Sequence, residues 1–281
     1  MPTTALVRRV VLVVLDGLRP DAIPAFSLDT IDALAQSGAY TASASTVEPS
    51  VTAACMASML CGVAPDRHGV TSTRFHIPRR SQPVFPMPAV LRDAGLPTTF
   101  FMAEVPFLCR GLAKRIAKHL GIGRAGFGGR DSTGVLEAAR EALRRQREGL
   151  IVMHWPDADD AGHKHGWMSD AYANAATRMD RTLANLAEIV DMPWSTDTML
   201  IALADHGGGG AIHNDHESDH PLDRTIPMVL TGGGIAPQTS LPDANLLDVP
   251  ATILWALGVA RPASYDGRPL AEVATPSLAL G

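Results

Sequence analysis

"VVLVVLDG", residues 10–17, is an unbroken apolar run, mostly valine, that stops at an aspartate and a glycine. A strand with one wet face alternates apolar and polar residues. A run that is apolar at every position suits a strand covered on both faces, as in a parallel sheet. It falls far short of the roughly 20 apolar residues that cross a bilayer. It also meets Asp16 where a signal peptide would carry a small-residue cleavage site. Two more runs have the same form, "LIVMHWPD" (150–157) and "TMLIALAD" (198–205), each closing on an acid. Further strands are expected in "PTTFFMAE" (97–104) and "IPMVLTGGG" (226–234).

Helical patterns fill the intervals. One covers 27–38, with Ser27 as a possible cap and Gly38 as the stop. Another covers 49–62, opened by Ser50 or Thr52 and closed by Gly62. Others are expected from 87, over 131–149, over 169–190 and over 246–258. In 169–190, Tyr172, Ala176, Met179, Leu183, Leu186 and Val190 recur at intervals of three and four, which gathers them on one helical face. Strands alternating with amphipathic helices argue for an α/β fold: a single-domain three-layer α/β/α sandwich with a mostly parallel central sheet, spanning 1–281. The glycine-rich, basic stretch 106–131 is expected as a small excursion or lid.

Composition narrows the function classes. A net charge of −5 offers no basic footprint for a nucleic-acid duplex. Hydrophobic residues make up 46% and charged residues 19%, which suits a soluble chain with a substantial core and no membrane span. Cys55, Cys61 and Cys109 form no disulfide framework, so a reducing, cytoplasmic setting is expected.

Ligands of parallel sheets bind beyond the carboxyl ends of the strands. Here those ends carry Asp16, then the 157–165 cluster "DADDAGHKH", then Asp205–His206. A strand-end aspartate alone also serves as a turn or cap; three such ends, two with adjoining histidines, point to a metal site. Asp159 and His163, four apart with Gly162 between, can face one ion from a single turn. Mixed carboxylate and imidazole ligands suit zinc or a similar divalent ion better than magnesium or calcium. His154 and His165 are expected to pack or to support ligands. Farther on, "ADHGGGGAIHNDHESDHP" (204–221) crowds acids and imidazoles around four glycines, as a metal cradle would. Thr52 opens a helix. As an N-cap it needs no further role, but a hydroxyl beside a helix N-terminus and a cation can also ionise and attack phosphorus. Ser50 is its nearest competitor.

Taken in order, "VVLVVLDGLRPD", "PSVT", "PDRHGV", "DADDAGHKHG", "ALADHG" and "HESDHPLDRTIPMVLTGGG" resemble the alkaline phosphatase superfamily, most of all its type I phosphodiesterase/nucleotide pyrophosphatase family. The resemblance implies a hydrolase of phosphoric esters or anhydrides holding two divalent ions, zinc or alternatively manganese, with a small phosphoester or nucleotide as substrate. Carried over residue by residue, Asp16, Asp205, His206 and the nucleophile Thr52 would surround one ion. Asp159, His163 and His216 would surround the other, with His213 as a plausible substitute.

Two departures touch the substrate. Where the family commonly has an asparagine after its "HG", this chain has Thr73, followed by Arg74, which are the candidate substrate contacts. The "PSVT" stretch is closer to phosphonoacetate hydrolase, so a carbon–phosphorus hydrolase is the alternative activity. A non-catalytic metal-binding protein is the alternative from another class. No "CxPxR" motif suggests a sulfatase, and the length leaves no room for the cap domain that mutases carry.

Overall fold

The computed structural model describes residues 4–72, 82–241 and 243–275 of the chain. Eight strands form one sheet: β1 (Arg9–Leu15), β2 (Ala39–Ser45), β3 (Thr98–Met102), β4 (Arg124–Phe127), β5 (Gly149–Trp155), β6 (Thr198–Leu203), β7 (Thr225–Gly232) and β8 (Thr239–Ser240). Their spatial order is β4-β3-β5-β1-β6-β7-β2-β8. The pairs β3–β4, β3–β5, β1–β5, β1–β6 and β2–β8 are parallel, while β7 runs antiparallel to both β6 and β2. The sheet is therefore mixed with a parallel centre.

Helices flank it in two sets. Asp29–Ser37, Ser132–Arg145 and Asp170–Ile189 pack together, as do Thr52–Cys61, Met87–Asp93 and Asp248–Ala256, completing the three layers. The long helix buries the face its periodicity defines, Tyr172, Ala176, Met179, Leu183 and Leu186, with Val190 just past its end. Ser169 caps it by accepting from Tyr172 N at 3.3 Å.

Two local expectations change. Ser27 caps nothing: it sits at φ +50°, and the helix begins at Asp29 behind Leu28. Thr52 is the first residue inside its helix, with Val51 in the cap position and no side-chain cap bond. The stretch 106–131 contains the helix Phe107–His119, which has no buried residue, and the edge strand β4, which joins the sheet beside β3.

Strand register positions the site. β1 lies between β5 and β6, with Val14 opposite both His154 and Leu203. Asp16 leaves β1 with its N–H donating to Trp155 O at 3.0 Å, and Asp205 follows β6 by two residues. Parallel pairing thus gathers chain positions nearly 200 apart at one edge. The turn after Asp16 needs a glycine. Gly17 has φ +71°, and a Cβ there would come within 2.8 Å of the Asp159 backbone. Its carbonyl accepts from Trp167 Nε1 at 3.0 Å and Tyr172 OH at 2.9 Å, so buried aromatic residues pin the turn.

Asp157, the acid that closes the "PD" pair, turns away from this edge. Its buried carboxylate accepts from Ser132 N at 2.7 Å, Ser132 Oγ at 2.9 Å and Arg178 Nε at 2.7 Å, joining two helices to β5. Replacing Asp157 by alanine strands those donors. The expected loss is roughly 1–3 kcal/mol of unfolding free energy, read from urea denaturation; a loss below about 0.5 kcal/mol contradicts this role.

Candidate metal centre

Asp16, Asp159, Asp205, His206 and His216 meet at the carboxyl edge of the sheet, and all but Asp159 are buried. His206 Nε2 lies 3.1 Å from Asp16 Oδ1, 3.8 Å from Asp205 Oδ2 and 4.0 Å from Asp159 Oδ1. Asp159 Oδ1 is in turn 3.6 Å from His216 Nε2 and 3.5 Å from His163 Nε2. The rings of His206 and His216 stack, centroids 3.8 Å apart and 9° from parallel.

The backbone fixes how the imidazoles point. Nδ1 of His206 faces Gly207 O at 2.9 Å, Nδ1 of His216 faces Ser50 O at 2.7 Å, and Nδ1 of His163 faces Asn214 O at 3.0 Å. A carbonyl can only accept, so each Nδ1 donates and Nε2 turns inward. This is the arrangement by which a supporting hydrogen bond presents a histidine to a metal. Nε2 of His163 and Nε2 of His216 stand 3.0 Å apart, an acceptor–acceptor contact when both rings are neutral.

Ser50 is occupied elsewhere, since its Oγ donates to His216 O at 2.5 Å. Thr46 donates to the carbonyl of Asp205. Thr52, spared a capping role, places Oγ1 3.1 Å from His206 Nε2. Among the glycines after His206, Gly208 lies under Trp167, where a Cβ would come within 2.1 Å of the indole, so the loop packs too closely for any side chain.

The charges are tightly linked. Burial alone would raise Asp16, but His154 and His206 outweigh it and hold its carboxyl well below the usual range. Asp159 is pushed up to about 8, by burial and then by the Asp16 charge. Asp205 rises to about 6 for the same two reasons. For His206 burial works downward, but Asp205 and Asp16 carry it up to about 10. Burial and the neighbouring His206 lower His216 to about 4.

His154, expected to pack or to support ligands, lies beside Asp16. Its Nε2 is 3.1 Å from Asp16 Oδ2, and Asp16, His154 and Asp205 offer ligand atoms within 4.8 Å of one another. Asp159, His206 and His216 form a second such group. The residues implied by the resemblance are thus brought together, with His206 within 4.0 Å of all three acids and His163 on the exposed side beside Asp159 and His216. His220 instead accepts from Leu222 N, His213 lies against Gly166, and Thr73 and Arg74 fall outside the described residues.

Does this set fit divalent ions? Asp16 Oδ1, Asp159 Oδ1, Asp205 Oδ2 and His154 Nε2 are buried without a hydrogen-bond partner. Each such atom costs roughly 1–3 kcal/mol, and more where it is charged. Four of them converging among imidazole Nε2 atoms match the oxygen and nitrogen donors of a zinc-type ion. The residues fit.

Two family models match the chain. "Type I phosphodiesterase / nucleotide pyrophosphatase" covers residues 10–89 and "Metalloenzyme superfamily" covers 128–261. A 2,3-bisphosphoglycerate-independent phosphoglycerate mutase of Listeria monocytogenes is 26% identical over 140 residues, 49% of this chain and 26% of the mutase. The human GPI ethanolamine phosphate transferase 3 catalytic subunit is 25% identical over 147 residues, 50% of this chain and 13% of the transferase. The chain therefore spans about a quarter or less of the length of these curated relatives. The fold is shared with murine ectonucleotide pyrophosphatase/phosphodiesterase 5, an inactive variant in complex with AMP, at TM-score 0.73 and 11% identity, covering 95% of this chain and 100% of that one. It is also shared with a putative sulfatase of Bacteroides thetaiotaomicron at TM-score 0.72 and 15% identity, covering 97% and 74%.

Adding zinc or manganese to chelator-treated protein is expected to raise its melting temperature. At a hundredfold excess over Kd the gain amounts to about 2.7 kcal/mol, and Asp159→Ala shrinks it. An unchanged melting curve across millimolar metal contradicts the metal assignment. Two family models thus meet along this chain, one of type I phosphodiesterases and one of metalloenzymes, on a fold shared with the ectonucleotide pyrophosphatase/phosphodiesterase 5 structure.

Proposed function

We propose that this protein is a metal-dependent phosphoric ester hydrolase of the phosphodiesterase/nucleotide pyrophosphatase type, with Thr52 as nucleophile and two divalent ions, zinc or manganese. One observation carries the reading. The Thr52 hydroxyl, at the first position of the helix Thr52–Cys61, leaves its own helix uncapped and faces His206 at 3.1 Å inside the acid–imidazole cluster. Asp16, Asp205, His206 and Thr52 would hold one ion, and Asp159, His163 and His216 the other, with His154 beside Asp16 and Asp205.

Such ions, when bound, supply charge stabilisation at the phosphoryl oxygens and favour ionisation of nearby hydroxyls. The chain's own part is positional. The N-terminal turn of the Thr52 helix presents backbone N–H groups without helical partners, which suits an anionic phosphoryl group. Thr52 Oγ1 releases its proton to solvent and bonds to phosphorus as the ester P–O bond opposite it breaks, the departing oxygen taking a proton from water. Water then cleaves the phosphothreonine and restores the hydroxyl. The backbone bonds at Nδ1 of His206, His216 and His163 hold the rings still through both displacements, so little reorganisation accompanies the change in charge.

The carbon–phosphorus hydrolase reading rests on "PSVT" and makes a different substrate prediction. Assays with p-nitrophenyl phosphate, bis-p-nitrophenyl phosphate, a nucleotide sugar and phosphonoacetate separate the two. The proposal expects turnover of phosphoric esters, the diester above the monoester. Thr52→Ala is expected to cut kcat by about a thousandfold or more at saturating metal, while thermal unfolding shows that the variant folds. Undiminished turnover in that variant removes Thr52 from the mechanism.

A further inference from the structure

Beside Thr52 lies a cavity of about 390 Å³, within the size range of small-molecule sites. Its walls are Ala53, Met56 and Leu60 from the Thr52 helix and Phe100 and Met102 from β3; among the described residues, Thr52 and His154 are its only polar side chains. Periodicity explains this composition. Thr52, Met56 and Leu60 follow one another at intervals of four, so the face that carries the hydroxyl continues as an apolar stripe. Phe100 and Met102 are two apart on β3 and share one face of the sheet, while Phe101 between them is buried.

Among the described residues, no lysine, arginine, aspartate or glutamate lines this cavity. A sugar, a second phosphate or a carboxylate placed there would exchange water for hydrocarbon without compensation. An alkyl or aryl group placed there would gain by burial, and two methionines give the wall a shape that adapts.

We infer that the cavity is the subsite for the organic group of the substrate, and that the substrates are phosphoric esters whose organic group is apolar, alkyl or aryl, in preference to nucleotides or sugar phosphates. The inference rests on the reading of Thr52 as the group that meets phosphorus. From that atom the apolar walls begin within one residue, at Ala53.

The test is calorimetric binding of methyl-, butyl- and hexylphosphonate to the zinc-loaded full chain. Each probe has one organic group, so no second group competes for the cavity. Affinity is expected to rise along the series, with hexylphosphonate at least about tenfold tighter than methylphosphonate. Met56→Gln and Met102→Gln, which keep side-chain length but add a polar amide, are expected to flatten that rise while thermal unfolding confirms that both variants fold. Equal affinities along the series in the natural chain overturn this inference and leave the proposed function standing. A rise that survives in both folded variants also overturns it. If no phosphonate binds, the proposed function falls and this inference with it. If affinity rises along the series but no phosphoric ester is turned over, the apolar subsite stands and the assignment as a hydrolase fails.

Discussion

Three carboxylates, Asp16, Asp159 and Asp205, are folded into one corner of the molecule, and that corner constrains everything around it. Like charges at such separations in a low-dielectric setting cannot all stay ionised without compensation. The fold responds with protons and imidazoles. Asp159 is pushed up to about 8 by burial and Asp16, while His206 is driven up to about 10 by Asp205 and Asp16 against the pull of burial. Cations placed among the same atoms would remove the strain and satisfy the acceptors left over.

The rest of the architecture reads as support for that corner. The parallel centre of the sheet carries Asp16, His154 and Asp205 to one edge, because β1 pairs in register with β5 on one side and β6 on the other. Trp167 and Tyr172 fasten the carbonyl of Gly17, which keeps the turn against Asp159. Carbonyls of Ser50, Gly207 and Asn214 orient three imidazoles. Asp157, two residues from Asp159, spends its carboxylate on Ser132 and Arg178, away from the cluster. Neighbouring acids thus divide into one that ties helices together and one that faces the centre.

Much of this was legible in the sequence, for physical reasons. β1, β5 and β6 are buried along their whole length, so they read as unbroken apolar runs. Acids placed directly after such runs mark the functional edge. β2, "AYTASAS", escaped because it is half exposed and built of small residues, and β4, "RAGF", because it is a short edge strand. The apolar run of β7 gives its existence but not its direction, since burial makes parallel and antiparallel strands look alike. The partner of His154 is hidden for a similar reason. A lone histidine in a strand carries no sign of what the neighbouring strand places beside it, and only the register opposite Val14 brings it to Asp16.

In the proposed enzyme two cations hold these acids and imidazoles together, with Thr52 facing them. Crystals grown with zinc, measured at energies above and below its absorption edge, test this arrangement most directly. Two anomalous peaks are expected inside the cluster, one beside Asp16, Asp205 and His206 and one beside Asp159, His163 and His216, with Thr52 Oγ1 facing the first. No peak there, or peaks only on surface histidines such as His119 or His165, would contradict it.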